Sequence, residues 1–195
     1  AVEFSKKIEW ITKVICSSDD KKILNEAKKA GADTPFVRPP ELSGDFVGDI
    51  EVLKNALLES EKFYNTEFDF ICMLQPTCPT RLVSEANQCY KRIFKSDFDL
   101  VLTVDSISSK YHPLKQIIFK DELNSKLYLD GGKEIIARQQ LTKTYCRNGS
   151  FYIAKKSHIL DNDNIMSCNF SCIVSSVEHA NIDTLEDLEI AKKLI

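Results

Sequence analysis

Short apolar runs alternate with amphipathic stretches along the first half of the chain. Four apolar runs are typical of buried strands: residues 13–16, 35–37, 68–74 and 100–104. Between these runs lie stretches with apolar side chains at helical spacing, and one of them carries Ile50, Leu53 and Leu57. The alternation predicts a three-layer α/β fold, with a mostly parallel sheet and helices on both of its faces.

The alternation stops in the middle of the chain. Residues 117–119 and 126–129 alternate in the manner of strands, and Asp-Gly-Gly at residues 130–132 is typical of a turn. Because no helix pattern follows these strands, we interpret about residues 110–137 as an arm inserted into a single domain that spans residues 1–195.

The end of the chain returns to the earlier pattern. Residues 151–154 and 172–177 predict further strands of the main sheet. Thr184 and Asp187 have the spacing of a capping box, which predicts a last helix. The apolar face of this helix includes Leu188, Ala191 and Ile195.

Composition and charge exclude several classes of protein. The chain has 195 residues and a net charge of −3, which gives no basic field that would attract nucleic acid. No apolar run is long enough to cross a membrane, and no signal peptide opens the chain, so we expect no membrane partner. The seven cysteines contain no CxxC pair; they predict reduced core residues of a cytoplasmic protein, not a zinc site.

The most informative stretch follows the predicted strand at residues 68–74. Residues 74–81 read LQPTCPTR, and the two prolines stop the sheet and stiffen a loop. This signature loop displays an amide (Gln75), a hydroxyl (Thr77) and a guanidinium (Arg81) at the carboxyl end of a strand, where open α/β sheets bind ligands. Taken alone, a proline-rich loop after a strand is usually only a turn.

The loop resembles the LQPTSPLR signature of the CMP-sialic acid synthetases (acylneuraminate cytidylyltransferases), which activate nine-carbon keto-sugar acids with CTP. Five further segments resemble motifs of this family in the same order: residues 14–19 (VICSSD), 36–45 (FVRPPELSGD), 112–115 (HPLK), 138–153 (RQQLTKTYCRNGSFYI) and 182–188 (IDTLEDL). The resemblance covers nearly the whole chain from about Val14. It implies a Rossmann-like nucleotidyltransferase fold with a dimerisation arm, and therefore a homodimer.

The implied reaction sets requirements for the site. The anomeric hydroxyl of the sugar attacks the α-phosphate of CTP and pyrophosphate leaves, so the substrate itself supplies the nucleophile. Charge on the phosphates must be neutralised, usually by Mg²⁺. Positioning and electrostatics therefore carry most of the catalysis, as in other phosphoryl transfers.

The resemblance implies a sugar pocket built from the signature loop and the strand after it. Gln75 would lie in this pocket, with Pro76 and Thr77 beside it. Tyr152, which follows the Asn-Gly turn at residues 148–149, would contact the sugar through its hydroxyl or its ring. Because Tyr152 lies in an apolar stretch, a role in the core is the alternative.

Three cations are implied as ligand contacts. Lys115 and Arg138 are expected near the acidic sugar, where arginine offers a planar fork suited to a carboxylate and lysine a point charge. They could act across the interface of a dimer, since the arm carries or borders them. Arg38 matches a family arginine on the nucleotide side. The alternative for the arginines is that they are solvated surface cations.

Asp183 is the candidate metal ligand. It is also a candidate catalytic residue, as are the cations Lys115 and Arg138. The family often has two aspartates spaced Asp-x-Asp before the threonine, whereas this chain has Asn181 and Asp183. Asparagine can offer its carbonyl oxygen to Mg²⁺ or orient a water molecule, but it lacks the charge. The alternative is that Asp183 only caps the last helix.

Other polar residues are interpreted as structural. The Asp19–Asp20 pair is expected to cap a helix. His112 precedes a proline and has no obvious acid partner, and neither His158 nor His179 receives a functional assignment. Cys78 lies in the signature loop, where a core role is favoured over a reactive thiol.

One family segment has no counterpart in the sequence. The family opens with a strand and a loop resembling IPARxGSKxxxxKN, which wraps the CTP phosphates, whereas this chain starts with residues that resemble the following helix. We therefore expect an open slot in the sheet, weak CTP binding and little turnover by this polypeptide alone. The alternative function is a non-catalytic relative, or a truncated fragment, that retains the sugar pocket. Which nonulosonic acid is bound is left open among N-acetylneuraminate, legionaminate and pseudaminate.

Overall fold

The computed structural model describes residues 1–177 and 179–194, which contain six α-helices, six strands and several short 3-10 turns. The helices are α1 (Val2–Ser5), α2 (Lys21–Ala30), α3 (Asp49–Tyr64), α4 (Val83–Phe94), α5 (Lys156–Asp161) and α6 (Leu185–Leu194). The strands are β1 (Phe70–Met73), β2 (Leu100–Ser106), β3 (Ile117–Phe119), β4 (Ser125–Leu127), β5 (Tyr145–Lys155) and β6 (Phe170–Val174). Ile195, which was predicted on the face of the last helix, lies outside the described residues.

Four strands form the main sheet in the order β1-β5-β2-β6. β2 pairs with β6 in parallel, whereas β5 is antiparallel to both β1 and β2. Three strands therefore point one way and β5 points the other, so the α/β prediction is confirmed with one strand reversed. An antiparallel strand needs no helical crossover, which agrees with the absence of a helix pattern before β5.

The two faces of the sheet are covered by different helices, as predicted. On one face, α3 and α5 pack on the sheet in a cluster that includes Ile50, Leu53, Leu57, Leu100, Leu102, Tyr152 and Ile159. On the other face, α4 contributes to a cluster that includes Ala86, Cys89, Ile93, Val101, Phe151, Ile153 and Ile173. β2 and β5 supply residues to both clusters because successive side chains of a strand point to opposite faces.

The first two predicted strands do not form regular ladders. Ile15 makes a single parallel bridge with Asp33, through hydrogen bonds of Cys16 N to Asp33 O (3.0 Å) and Asp33 N to Val14 O (2.8 Å). Residues 35–37 are irregular, since Pro35 has no N–H to donate to a ladder. A cavity of about 590 Å³ separates residues 12–15 from β1, which lies at the edge of the main sheet.

The helix after this region begins at a polar cap. The Asp20 carboxylate accepts a hydrogen bond from Lys22 N (2.6 Å), so the predicted cap is confirmed. α2 ends at Gly31, whose φ of 93° is readily adopted only by glycine. Leu24 is the buried residue of α2, whereas the neighbouring Ile23 is mostly exposed.

The arm forms a second, two-stranded sheet. β3 and β4 pair antiparallel. The strand predicted at residues 126–129 is observed at Ser125–Leu127, so it starts one residue earlier and ends two residues earlier than predicted. Residues 130–134 form a 3-10 turn after it. The arm exposes several large apolar side chains: Ile117, Phe119, Leu123, Tyr128, Leu129 and Ile136. Among the described residues, no helix is both long and apolar enough to cross a bilayer.

Candidate active site

The signature loop is held in shape by Arg81. Its Nε donates to the Ser150 carbonyl (2.8 Å) and its Nη2 donates to the Gln75 carbonyl. The Gln75 carbonyl also accepts from Cys78 N at 3.1 Å. Arg81 therefore ties the loop to β5, which makes it a structural cation and leaves the Gln75 side chain as the polar group that the loop can present.

Asn148 and Gly149, which were predicted as a turn, lie inside β5 at an irregularity of its pairing with β2, and this bend, named here the turn at Gly149, meets the signature loop at Gln75. Gln75 N donates to the Gly149 carbonyl at 3.3 Å. Gly149 has φ of +68°, and a Cβ atom at this position would overlap Oε1 of Gln75. Only glycine combines this backbone conformation with so close an approach, so Gly149 fixes the place of the Gln75 amide.

A third segment, residues 180–183, lies against the same loop. Ala180 N donates to Thr80 Oγ1 (3.1 Å), and Ile182 N donates to the Thr77 carbonyl (2.9 Å). One bond ends on a side-chain hydroxyl and the other on a backbone carbonyl, so the segment is fixed to the loop at two points. The two bonds bring the predicted metal ligand, Asp183, to the signature loop, although it is 106 to 108 positions away from Thr77 and Gln75 in the chain.

The carboxylate of Asp183 is exposed and does not cap the last helix. Its Oδ2 accepts from Asn181 Nδ2 at 2.7 Å. The cap is made by Thr184 and Asp187: Thr184 N donates to Asp187 Oδ2 (2.8 Å), and Asp187 N donates to Thr184 Oγ1 (3.2 Å). The predicted capping box is thus present, and the hydrogen bonds from Thr184 hold the pKa of Asp187 below its usual value. Asn181 orients Asp183 through its amide N–H.

A polar network lies behind these three segments, at the carboxyl end of β2. Asn148 Oδ1 accepts from Thr103 Oγ1 (2.8 Å) and Ser150 N (3.1 Å), and Asn148 Nδ2 donates to Asp105 Oδ1 (2.8 Å). His179 Nδ1 lies 3.1 Å from the same Asp105 oxygen. The sequence interpretation missed Asp105 and His179. Asp105 had a usable signal, because it is the first charged residue after a buried strand, whereas His179 had none.

The predicted cations lie apart from this network. Lys115 and Arg138 are exposed in 3-10 turns of the arm region, and no hydrogen bond or ion pair within residues 1–177 and 179–194 engages either charged group. Arg38 is half-buried, where Nη2 lies 3.5 Å from Asp19 Oδ1 and Nε donates to Ser43 Oγ (3.2 Å). The structure thus brings together the signature loop and Asp183, and no hydrogen bond or ion pair within the described residues joins any of the three cations to them.

The remaining predicted pocket residues differ in exposure. Pro76 is exposed and Thr77 is half-buried at the tip of the signature loop. Tyr152 is buried in the core cluster under α3, opposite Met73 and Leu102 of the neighbouring strands. Burial raises the pKa of its hydroxyl. Its ring therefore belongs to the core, which was the alternative for this residue.

Other residues interpreted as structural are packed. His112 is buried and its Nδ1 accepts from Leu114 N (3.2 Å), which caps a 3-10 turn. His158 is buried at α5, with Nε2 2.9 Å from the Ile165 carbonyl. The Cys78 side chain is fully buried, and burial raises the pKa of its thiol, so the reactive thiolate is disfavoured.

The charged groups at the loop suit a divalent cation that is shared with a substrate. The described residues contain no group of three histidine, cysteine or carboxylate side chains that could hold a metal by themselves. Mg²⁺ usually keeps several waters and binds through one or two carboxylates together with substrate phosphates. A single exposed carboxylate held beside the signature loop, as in Asp183, fits that mode of binding.

Curated proteins similar to this chain carry cytidylyltransferase names. It is 31% identical over 183 residues, or 93% of this chain and 77% of the relative, to a pseudaminic acid cytidylyltransferase of Campylobacter jejuni subsp. jejuni serotype O:2. It is 28% identical, over 93% of this chain and 76% of the relative, to a CMP-N,N'-diacetyllegionaminic acid synthase of the same organism. A Legionella pneumophila CMP-N,N'-diacetyllegionaminic acid synthase is 29% identical, over 93% of this chain and 77% of the relative. No family model matches the chain.

Solved structures share the fold at low sequence identity. A CMP:2-keto-3-deoxy-manno-octonic acid synthetase complexed with CTP superposes with a TM-score of 0.69 at 12% identity, over 99% of this chain and 84% of that chain. HddC from Yersinia pseudotuberculosis gives a TM-score of 0.54 at 15% identity, over 100% of this chain and 83% of that chain. These likenesses show a Rossmann-like nucleotidyltransferase fold.

Proposed function

This chain belongs to the CMP-sialic-acid-synthetase-like family of cytidylyltransferases, and we propose that it transfers the cytidylyl group of CTP to a sialic-acid-like nonulosonic acid. The anomeric oxygen of the sugar forms a bond to the α-phosphorus of CTP. The bond from that phosphorus to the bridging oxygen breaks, and pyrophosphate leaves with the electron pair. The similarity to named cytidylyltransferases favours this enzyme over the non-catalytic alternative.

The observation that carries the proposal is the meeting of three distant segments at one end of the sheet. The signature loop, the turn at Gly149 and the segment ending at Asp183 are joined by backbone hydrogen bonds, with Thr77 and Gln75 as the shared partners. This arrangement supports Gln75 as an amide that binds hydroxyl or carboxylate groups of the sugar. Holding the attacking oxygen in line with the phosphorus is the main contribution of such groups.

Mg²⁺ is the proposed cofactor. Asp183 would hold it together with the phosphates of CTP, and the ion would neutralise negative charge on these phosphates. Asn181 supports this role because its N–H keeps one carboxylate oxygen of Asp183 in place at 2.7 Å. The other carboxylate oxygen is then available to the ion.

Lys115 and Arg138 are the proposed partners of the sugar carboxylate. Both side chains are exposed and unpaired among the residues that the structure describes, so neither charge is already neutralised. Their place in or beside the arm supports a role across a subunit interface, since in the family the arm packs against a second subunit. Arg38 is proposed on the nucleotide side, where its contact with Asp19 would hold it at the end of residues 14–18.

The protein is proposed to be a homodimer that uses the arm as its interface. Eight large apolar side chains of the arm are exposed, and Phe119, Leu123 and Ile136 are each more than three-quarters exposed. Large exposed apolar patches mark interaction sites, and the exposed apolar side chains of the arm all lie within residues 111–136. Sedimentation at about 10 μM protein, a concentration chosen for a dimer of micromolar affinity or tighter, should give a dimer that Phe119→Asp converts to a monomer.

The reaction is proposed to take place in the cytoplasm. Residues 1–195 are proposed to form a single domain. All seven cysteines are free thiols, which agrees with a reducing compartment. Among nonulosonic acids, pseudaminate and N,N'-diacetyllegionaminate are the first substrates to examine, because curated relatives carry those names.

The direct test is product formation from CTP, Mg²⁺ and each of four acids: pseudaminate, N,N'-diacetyllegionaminate, N-acetylneuraminate and KDO. We expect stoichiometric pyrophosphate and a CMP-sugar, detected together by chromatography and mass spectrometry, with one of the first three acids. ATP, GTP and UTP serve as controls and should give no product.

A second arm of the experiment addresses the phosphate-binding loop. The 195-residue chain is compared with a form extended at its amino end by the family's strand and loop. We expect turnover in the extended form, because the family's loop wraps the CTP phosphates. Sugar binding without turnover in both forms would favour the non-catalytic alternative.

A further inference from the structure

His179 is a buried imidazole that the proposed reaction leaves unused. Its side chain is 1% exposed and lies between two carboxylates. Nδ1 is 3.1 Å from Asp105 Oδ1, and Nε2 is 3.8 Å from Glu85 Oε2. In the part of the chain that the structure describes, His179 Nε2 and Glu85 Oε2 have no hydrogen-bond partner. A buried imidazole so placed needs an explanation beyond packing, since unpaired buried polar atoms are costly.

Nδ1 of the ring has two polar neighbours at 3.1 Å, the acceptor Asp105 Oδ1 and the donor Asn148 Nδ2, and we assign the proton to Nδ1 from its pairing with Asp105. Asp105 Oδ1 is an acceptor only, so Nδ1 must carry a proton if it is to bond at 3.1 Å. Asn148 Nδ2 donates to the same oxygen at 2.8 Å. Two N–H groups therefore converge on one carboxylate oxygen, and the side chain of Asp105, which is 25% exposed, joins His179 to Asn148.

On one side, this link reaches the proposed sugar pocket. Asn148 precedes Gly149, and the side-chain oxygen of Asn148, Oδ1, accepts hydrogen bonds from Thr103 Oγ1 and Ser150 N. The carbonyl oxygen of Gly149 accepts the backbone N–H of Gln75, and the missing side chain at Gly149 leaves room for the side-chain amide of Gln75. His179 is thus connected to Gln75 through Asp105, Asn148 and Gly149, all by direct contacts.

On the other side, His179 begins the segment that carries Asp183. The next residue, Ala180, donates to Thr80, and Ile182 donates to Thr77. Anchoring the His179 side chain to β2 therefore fixes the start of the segment whose remaining length lies on the signature loop. Glu85 of α4 encloses the ring from the other face, and Glu85 Oε1 is itself held by Ser175 Oγ (2.8 Å) and Ser176 N (2.9 Å).

We propose that His179 is a positioning residue for the transfer: its Nδ1–H, through Asp105 and Asn148, sets the turn that places Gln75, and its backbone sets the segment that places Asp183. This inference rests on the proposed function for its catalytic meaning. The link itself is a property of the folded chain.

The kinetic test compares two substitutions of His179. Asparagine places its Nδ2 where the imidazole has Nδ1, so His179→Asn retains the donor to Asp105, whereas His179→Ala removes it. We expect kcat/KM for the nonulosonic acid to fall about tenfold or more in His179→Ala, the loss typical of removing a hydrogen bond to a charged group. It should stay within about threefold in His179→Asn, while KM for CTP changes little in either variant.

His158→Ala is the matched control, because His158 is also a buried histidine with a hydrogen-bonded ring but lies at α5. It should lower the melting temperature and leave kcat/KM of the folded protein unchanged. Equal loss of kcat/KM in the alanine and asparagine variants of His179, or no loss in either, would overturn the proposal.

A second measurement does not depend on turnover. Long-range ¹H–¹⁵N correlation of the imidazole should show a proton on Nδ1 of His179 that exchanges slowly, and exchange should quicken in Asp105→Ala. A neutral ring protonated only at Nε2 would overturn the link. Absence of a CMP-sugar with the unsubstituted protein in its extended form would instead overturn the proposed function, and the imidazole spectrum separates these two failures.

Discussion

The two regions that carry the family's polar motifs are built on opposite principles. At the end of the main sheet, Gln75 and Asp183 are held by backbone bonds, a positive-φ glycine and a buried network. In the arm region, Lys115 and Arg138 are exposed and their charged groups have no partner within the described part of the chain. Pre-organised groups lose little entropy when a ligand binds, whereas free lysine and arginine side chains must be ordered at that moment.

The comparison suggests a division of work between the regions. The sheet end would position the reacting groups, and the arm would supply charge to the acidic substrate once a second subunit or the substrate orders it. Substitutions at the sheet end should therefore alter both folding and catalysis. Substitutions in the arm should alter substrate affinity or assembly with little effect on the stability of the main core.

The largest effect is expected from Asp183→Asn, which removes the carboxylate at the sheet end. We expect kcat to fall about a hundredfold or more, because charge neutralisation at the phosphates is a large part of phosphoryl-transfer catalysis. Steady-state kinetics over a range of Mg²⁺ concentrations would also show a raised Mg²⁺ requirement. Glu186→Gln, which changes an exposed carboxylate in the first turn of α6, is the control and should keep kcat within twofold. A fall in kcat of less than threefold for Asp183→Asn would contradict the metal assignment.

Gly149→Ala compared with Gly131→Ala tests the contrast between the regions directly. At Gly149, φ is +68° and a Cβ atom would overlap the Gln75 amide, whereas at Gly131 in the arm the nearest atom would be Leu114 Cδ2 at an ordinary 3.4 Å. We expect Gly149→Ala to lower the free energy of unfolding by about 1–3 kcal/mol, the cost of a left-handed conformation in a residue other than glycine.

The same pair of variants has a kinetic readout. KM for the nonulosonic acid should rise about tenfold in Gly149→Ala, the equivalent of about 1.4 kcal/mol, because the amide of Gln75 must move. Gly131→Ala should match the unsubstituted protein in both urea denaturation and kinetics. If the two alanine variants behave alike, the turn at Gly149 does not place Gln75.

Arg138→Ala tests the arm as a source of charge. We expect KM for the nonulosonic acid to rise about tenfold, as for loss of one charge-assisted contact worth about 1.5–3 kcal/mol. The melting temperature should not change, since Arg138 is exposed and makes no ion pair with the described residues. Arg138→Lys should restore only part of the affinity if the planar fork matters. Lys133→Ala, which removes an exposed arm cation 3.6 Å from Asp130, is the control.

The smallest effect is expected from two exposed carboxylates with lowered pKa values, one in each region. Hydrogen bonds from Thr184 lower the pKa of Asp187 at the sheet end, and hydrogen bonds from Asn124 lower that of Asp121 in the arm. A carboxylate with a lowered pKa stabilises the fold above its unfolded pKa of about 3.9, and the gain disappears as pH falls through the folded pKa.

Thermal melts between pH 3 and 7 would separate the two carboxylates. Asp187→Asn should lower the melting temperature at neutral pH, and the difference should shrink below about pH 4. Asp121→Asn should leave the main transition unchanged at every pH, because the Asp121 turn belongs to the separate β3–β4 sheet. A pH-independent difference for Asp187→Asn would show that its hydrogen bonds are not formed in solution.

The predictions from sequence succeeded where a pattern is local. The capping box at Thr184, the cap at Asp20 and the strands around residues 100–104 and 117–119 are all present in the structure. Predictions failed where a strand required a partner: residues 35–37 form no strand, and Ile15 makes one bridge only. A strand forms a ladder only where a partner strand lies beside it to exchange backbone hydrogen bonds. The sequence of these short runs does not show whether such a partner is present.

The candidate site divides in the same way. Gln75, Thr77 and Asp183 were identified from motifs, and the fold brings their segments together. Tyr152 was placed in the sugar pocket by resemblance, yet its ring lies in the core under α3. Asp105 and His179 were not singled out, because their importance comes from a contact across 74 positions of sequence.

The sequence by itself therefore determined the class of fold, the family and the chemistry of the signature loop, because hydrophobic periodicity and contiguous motifs are written along the chain. The tertiary structure decided the reversed direction of β5, the burial of Tyr152 and the link from His179 through Asp105 to Asn148. Each of these depends on which residues meet when distant segments pack together, and that is set by the whole fold and not by any local stretch.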